Sequence, residues 1–352
     1  MRLRIRTILL PLLLALPQAG PAQQPQPQPR TLEVPATAAW QHAATQMILP
    51  SASAGLTRGA IQDSTARELD VAATYRNRDE GLLATLYLYK TMTPDVALWF
   101  DRALAAILMR TEYGIDAAAA PAANAFARPG AQAASGLRIA LDAGGAEIRS
   151  TALAVVPLGR YLLKIRLSSS RLDRAALDER LTRFIEGLRW PAAAAGERAA
   201  VPVLPCATPL RLRNARVLRD PGMGNVLSDA MGGILIERAE QDGDGPPPRP
   251  YCREPGATLA HGVYRRGGAT DSYLIALGDA GIALSIGQAF DLSALLGEGG
   301  GGRTRFSMTM LGRDGTTVYP SFNRLPPPAQ ALSVAMEGGP RISVSSGDSE
   351  NR

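Results

Sequence analysis

The sequence predicts an α+β protein, with an N-terminal α/β sandwich on a mostly antiparallel sheet followed by a β-rich C-terminal domain, a sandwich or a barrel. Three observations carry this. Between residues 32 and 191 a strand, a hairpin, a helix, three neighbouring strands and a final helix follow one another, an order unlike alternating βαβ units. Between residues 200 and 345 short strand-like runs recur around two tight Gly-bearing turns. Separating the two, residues 192–204 (AAAAGERAAVPVL) are small, Pro-flanked and weakly patterned, as a linker is.

The chain starts with an export-like segment. Arg2, Arg4 and Arg6 precede the apolar run TILLPLLLAL (Thr7 to Leu16), which is too short to span a bilayer, and Gly20 and Ala22 suit a signal-peptidase cut after Ala22. Residues 1–22 are therefore expected to be a signal peptide, with an uncleaved anchor as the alternative. No Cys follows the apolar run, so a lipoprotein acylation site is missing. Residues 23–31 (QQPQPQPRT) alternate Gln and Pro, which favours an extended tether that builds no core.

Cleavage changes the charge argument. The 352 residues carry 38 basic and 32 acidic side chains, a net +6, but removing three arginines with the signal leaves 35 against 32, or +3. Residues 31–191 hold 18 basic and 16 acidic residues, and 192–352 hold 16 of each. Neither half concentrates the positive charge that nucleic-acid binding needs, so no nucleic-acid partner is expected.

In the first domain, Val71 to Tyr75 and Leu82 to Tyr89 read as strands of a hairpin closed by RNRDEG. Thr93 is expected to cap the next helix with Pro94 at its first position; Val96, Phe100, Ala103, Leu104, Ile107 and Leu108 form its apolar stripe, leaving Asp101, Arg102 and Arg110 elsewhere. Residues 116–134 read as an irregular excursion. Gly136 to Leu141, Glu147 to Val156 and Arg160 to Leu167 follow as strands, and Asp173 caps a helix with Leu177, Leu181, Phe184, Ile185 and Leu188 on one stripe. Tyr87 and Tyr89 share one strand face by period two and are candidates to line a groove.

The string Met47-Ile48-Leu49-Pro50 with Gly55 and Arg58, the run LLATLYLY, the helix carrying Trp99-Phe100, the strand RYLLKIRL and the closing Phe184-Ile185-Glu186-Gly187-Leu188 together resemble PsbP-like and DcrB-like α/β/α sandwich proteins over residues 45–191. That resemblance implies an exported or lumenal module without a catalytic centre of its own. It carries no site motif, so it assigns no residue a role.

In the second domain, candidate strands are Leu210 to Leu218, Ile234 to Ala239, Gly262 to Arg265, Ser272 to Leu277, Ile282 to Ile286, Arg305 to Leu311 and Thr317 to Phe322. Gly278-Asp279-Ala280-Gly281 and Gly312-Arg313-Asp314-Gly315 supply hairpin turns. Cys206 and Cys252 are the only cysteines and, in an oxidising compartment, are expected to form a disulfide. Closing a loop of 45 intervening residues would stabilise by roughly 3–4 kcal/mol.

Motifs that invite chemistry fare poorly. Gly297 to Thr304 (GEGGGGRT) resembles a phosphate loop, but a strand rather than a helix is expected after it. Asp242-Gly243-Asp244-Gly245 lacks the later acid of a calcium loop and runs into three prolines, so a solvated turn explains it. No hydrolase motif is present, and only His42 and His261 are available as bases. His42 reads as a surface or cap residue, and the pairs Asp79-Glu80 and Asp178-Glu179 as solvent-facing charges. A catalytic thiol would need His261 beside Cys252. No catalytic residue, metal ligand or cofactor is expected.

The resulting expectation is an exported, periplasmic bacterial protein that is not an integral membrane protein once its signal is cleaved. It would bind an envelope protein or a small ligand without catalysis. The alternatives are an enzyme with an unmotifed site at the interdomain cleft, and a docking module for a partner protein. Residues 346–352 are read as a tail.

Overall fold

The computed structural model describes residues 29–194, 196–218, 249–289 and 304–345. The signal peptide, most of the tether, the candidate strand Ile234 to Ala239, the Asp242–Gly245 turn, the Gly297–Arg303 loop and the tail lie outside the described residues.

The chain is α+β, with two large sheets that are antiparallel apart from one short pairing. The first contains β1 (Arg30–Leu32), β4 (Ala52–Ser53), β5 (Leu56–Asp63), β6 (Asp70–Asn77), β7 (Leu82–Lys90), β8 (Asn124–Phe126), β9 (Gly136–Asp142), β10 (Ser150–Leu158) and β11 (Tyr161–Ser169). Its order is β1-β5-β6-β7-β11-β10-β9-β8, with β4 on β5; β2 (Trp40–Gln41) and β3 (Ile48–Leu49) form a separate ribbon. The central pair β7 and β11 is in register with Tyr87 opposite Lys164. Strands β10 and β11 are buried on both faces, which explains their near-continuous apolar sequence.

Helix α1 (Val96–Leu108) covers one face and α2 (Arg174–Glu186) the other. Asp173 caps α2 by accepting from the Ala176 N–H, and Leu177, Leu181, Phe184 and Ile185 bury the expected stripe. At α1 the cap is Asp95, not Thr93: the Asp95 carboxylate accepts from the Leu98 N–H. Thr93 instead presents its carbonyl to Trp99 Nε1 at 2.8 Å. The 116–134 excursion contributes the short strand β8, paired with β9.

The second sheet contains β12 (Leu204–Pro205), β13 (Val217–Leu218), β14 (Tyr251–Arg253), β15 (His261–Arg266), β16 (Tyr273–Leu277), β17 (Ile282–Gln288), β18 (Phe306–Leu311), β19 (Gly315–Phe322) and β20 (Ile342–Ser345). From β14 to β19 it is an antiparallel meander; β12 joins β14 in parallel, and β13 and β20 join β19. Among the described residues it is one open sheet rather than the sandwich or barrel expected. The reason is that helices cover both faces. Val263, Tyr273, Ile275, Leu284 and Ile286 share a core with α3 (Pro328–Glu337), while the alternating Tyr264, Leu274, Ala276 and Ala283 pack with α1.

The expected strand Leu210 to Leu218 shrinks to its last two residues, because its backbone groups are bonded by side chains. Leu210 N–H donates to Glu254, Ala215 exchanges two bonds with the Gln330 amide, and Arg216 N–H donates to Asn323.

The layers therefore run α2, first sheet, α1, second sheet, α3. Helix α1 lies between the sheets, and one core unites its Trp99 and Phe100 with Leu153 and Leu162 of the first sheet and Tyr264 and Leu274 of the second.

Candidate functional site

The seam between the sheets is built on α1. Its sequence, VALWFDRALAAIL, is apolar nearly all round, and its two charged residues are buried rather than facing solvent. Arg102 is fully buried and reaches three backbone carbonyls of the second half: Nε donates to Gly278 (2.9 Å), Nη1 to Thr258 (3.2 Å) and Nη2 to Leu259 (3.1 Å). Asp101 accepts from the Tyr264 hydroxyl at 2.8 Å and from Arg253. Burial pushes the Asp101 carboxyl above its ordinary range, opposed by Arg253 and the Tyr264 hydrogen bond.

Two hairpin tips complete the seam. From the β16–β17 turn, Asp279 meets Lys164 at 2.8 Å, and Gly281 O accepts from Thr91 Oγ1 at 2.9 Å. Gly281 has φ +85°, and a Cβ there would stand 2.8 Å from Tyr89 Cδ2 and 3.1 Å from Lys90 O, so this close approach requires glycine. From the β18–β19 turn, Arg313 pairs with Asp70 at 2.5 Å and Asp314 with Arg67.

The groove candidates Tyr87 and Tyr89 lie at this seam. The two do share a face, but Tyr89 is fully buried against Trp99, and the Lys164 ammonium lies over both rings, 4.5 Å from the Tyr87 centroid and 5.7 Å from that of Tyr89. Asp279 anchors that ammonium, so the second sheet's turn covers Tyr89, while Tyr87 stays half-buried.

The open site lies at the other flank of α1. A cavity of about 780 Å³ is walled by α1 (Phe100, Leu104, Leu108), by alanines of the 117–123 excursion, by linker residues 201–204 and by residues 253–257, from the last residue of β14 onward. Its volume is that of a small-molecule site. At its polar end stand Asp101, Arg253 and Glu254. All four carboxylate oxygens are engaged: those of Asp101 by Arg253 and Tyr264, those of Glu254 by Arg265 (2.6 Å) and the Leu210 N–H (2.9 Å). Val201 and Leu204 of the linker wall are themselves exposed.

Cys206 and Cys252 are bonded, with sulfurs 2.04 Å apart. The disulfide fastens the linker wall to the β14 wall beside the paired residues Leu204 and Cys252, and Cys206 N–H donates to Arg253 O at 2.9 Å.

The chain matches no protein-family model, no curated protein and no solved structure.

The remaining candidates scatter. His42, expected at the surface or as a cap, is buried; its Nδ1 lies 2.9 Å from Thr45 Oγ1 and accepts from the Thr45 N–H at 3.2 Å as a cap would, its Nε2 lies 2.8 Å from Glu68 O, and burial pushes its pKa down. His261 is bonded to Thr258 Oγ1 at 3.2 Å, and its pKa is lowered by burial and by Arg102. Glu80 and Asp178 are engaged by Arg180 and Arg138 respectively, tying α2 to the first sheet. Among the described residues, no three His, Cys, Asp or Glu side chains cluster to hold a metal ion, and no helix is long and apolar enough to cross a membrane.

The seam residues and the cavity were missed by sequence reasoning. One signal was available for Asp101 and Arg102: a helix that is apolar around its circumference is buried, so its rare charges need partners.

Proposed function

We propose that the chain is an exported, periplasmic protein that binds a small apolar-bodied ligand in the cavity between its two sheets and performs no chemistry on it. The observation that carries this reading is the state of the cavity's carboxylates. Asp101 and Glu254 are held by protein donors on every oxygen, which leaves neither as a base or nucleophile aimed at the space, while the rest of the lining, Arg253 apart, is apolar. Export is supported by the disulfide and by the N-terminal basic and apolar pattern. The likeness to PsbP-like and DcrB-like proteins, which rests on element order and the strings quoted above, points the same way and contributes no residue role.

The test uses N-phenylnaphthylamine, an uncharged dye that brightens in apolar surroundings. The expected result is saturable binding to the protein that is lost in Ala105→Trp, since Ala105 belongs to the α1 wall of the cavity and an indole there fills it, in a variant with an unchanged melting temperature. Equal dye binding by the two proteins would refute the assignment. Mass measurement of protein recovered from an envelope fraction tests export, which predicts a chain beginning near Gln23; recovery of the full chain in the cytosol would refute it.

A further inference from the structure

The polar end of the cavity is not symmetric in what it offers a ligand. Its acceptors are already engaged: each oxygen of Asp101 and Glu254 receives a hydrogen bond from the protein. Its donors are not. Among the described residues Arg253 spends only Nη1 on a protein acceptor, the Asp101 carboxylate; its side chain is 33% exposed and the residue lines the cavity. A guanidinium carries five N–H donors in a planar fork. The Asp101 contact uses one nitrogen and leaves Nε and Nη2 for a second acceptor.

Geometry also fixes Arg253 in place. It lies in β14, paired antiparallel with β15 on one side and in parallel with β12 on the other, and the disulfide at Cys252 anchors the preceding residue. Asp101, placed on α1 and held by Tyr264, orients the guanidinium. A positioned cation with unspent donors at one end of an aliphatic cavity matches an apolar body ending in an anionic acceptor.

Resting on the binding reading above, we infer that the ligand is a single-chain amphiphile with a carboxylate head, its apolar chain against Phe100, Leu104 and Leu108 and its head on Nε and Nη2 of Arg253. A neutral amphiphile of the same length would leave those donors to water.

The experiment displaces N-phenylnaphthylamine with dodecanoate and with dodecanol, which differ at the head alone. A charge-assisted hydrogen bond makes dodecanoate the better competitor by about tenfold. Arg253→Gln alone would strand the buried Asp101 charge, so the variant is the double Asp101→Asn/Arg253→Gln, which removes both charges and keeps an acceptor for Tyr264. In it the dodecanoate preference disappears while dodecanol competes as before. Equal competition by both compounds in the native protein overturns the inference, as does a preference that survives in the double variant; in either case dye binding and its loss in Ala105→Trp leave the binding reading standing. Dye binding that survives in Ala105→Trp removes the binding reading, and the inference with it.

Discussion

Asp279, at the tip of the β16–β17 hairpin, holds the Lys164 ammonium through both its carboxylate (2.8 Å) and its backbone carbonyl (2.9 Å), tying the second sheet to the centre of the first. Burial pushes the Lys164 pKa down and the Asp279 contact pushes it back up. Burial alone would raise the Asp279 carboxyl, but Lys164, with Arg166 and Arg102 behind it, outweighs burial and holds the carboxyl below the ordinary range.

Asp279→Ala leaves a buried ammonium without its counter-charge. With Lys164 side chain 3% and Asp279 33% exposed, the loss lies between those of an exposed and a fully buried pair, about 2 kcal/mol. Adding Lys164→Met removes the stranded charge and returns most of it. Urea midpoints at constant slope measure both; losses that simply add would show that the pair is not coupled.

The same pair sets a pH dependence. Because the folded Asp279 pKa is depressed, its contribution is fully present above the unfolded value of about 3.8 and is lost as pH falls through the folded one. Asp70 and Asp101 are raised, chiefly by burial, and act oppositely: their native forms take protons more readily, so stability falls as pH rises from 3.8 toward their folded values. The stability gap between native protein and Asp279→Asn should therefore be constant at neutral pH and shrink below pH 3.8. A gap that stays constant to the acid limit would remove Asp279 from the acid response.

The legible parts of this fold were local. Both hairpin turns stood in the sequence as Gly-Asp-Ala-Gly and Gly-Arg-Asp-Gly, because turn chemistry is decided within four residues. What Asp279 and Arg313 grip from those turns was not legible, since Lys164 and Asp70 lie 115 and 243 residues away in the chain. Strand β5 was hidden by the register shift between Arg58 and Ile61, around Gly59, which breaks its alternation. Helix α3 was hidden behind a run of prolines, although Pro328 at its first position suits a helix. Asp101 and Arg102 fell outside the expected apolar stripe and drew no partner, because a helical wheel counts one apolar stripe and does not see a second sheet. The cavity draws on four separate stretches of chain, so no local pattern announces it.

Glycine at the hairpin tip offers a graded test of the seam. Gly281→Ala places a methyl 2.8 Å from Tyr89 Cδ2 at φ +85°, whereas Gly278→Ala meets nothing within 4 Å at φ +57°. Backbone strain alone costs about 1 kcal/mol at each. Only Gly281→Ala adds overpacking, for a total of about 3 kcal/mol. Thermal melts rank the two, and equal losses would mean that the tip does not press on the first sheet.

Arg102 binds three backbone carbonyls across the seam: Gly278, Thr258 and Leu259. Arg102→Ala unpairs them and opens a void beside Gly262, whose Cβ position lies 3.1 Å from Arg102 Cδ, for a loss of about 3 kcal/mol. Arg102→Lys restores charge but not the planar fork, and recovers less than half. Full recovery by Lys in denaturant unfolding would reduce the role of Arg102 to its charge.

Reduction of Cys206–Cys252 should act on stability and on the cavity together. On the chain-entropy account, opening the closed loop costs roughly 3–4 kcal/mol, read as a shift in the urea midpoint with and without reductant. The local consequence follows from the ladder: β12 is only two residues long and exposed, so without the disulfide the linker wall at 201–204 is held mainly by two pairings to β14 and the Cys206 N–H bond to Arg253 O. Short edge pairings of this kind open at small free-energy cost. Protease cleavage within 199–204 should therefore accelerate in Cys206→Ser/Cys252→Ser, and N-phenylnaphthylamine affinity should fall, while amide exchange in β10 and β11 is less affected than in β12. Cleavage and dye affinity that match the native protein, alongside a lowered midpoint, would show that the disulfide restrains only the unfolded chain and does not shape the cavity wall.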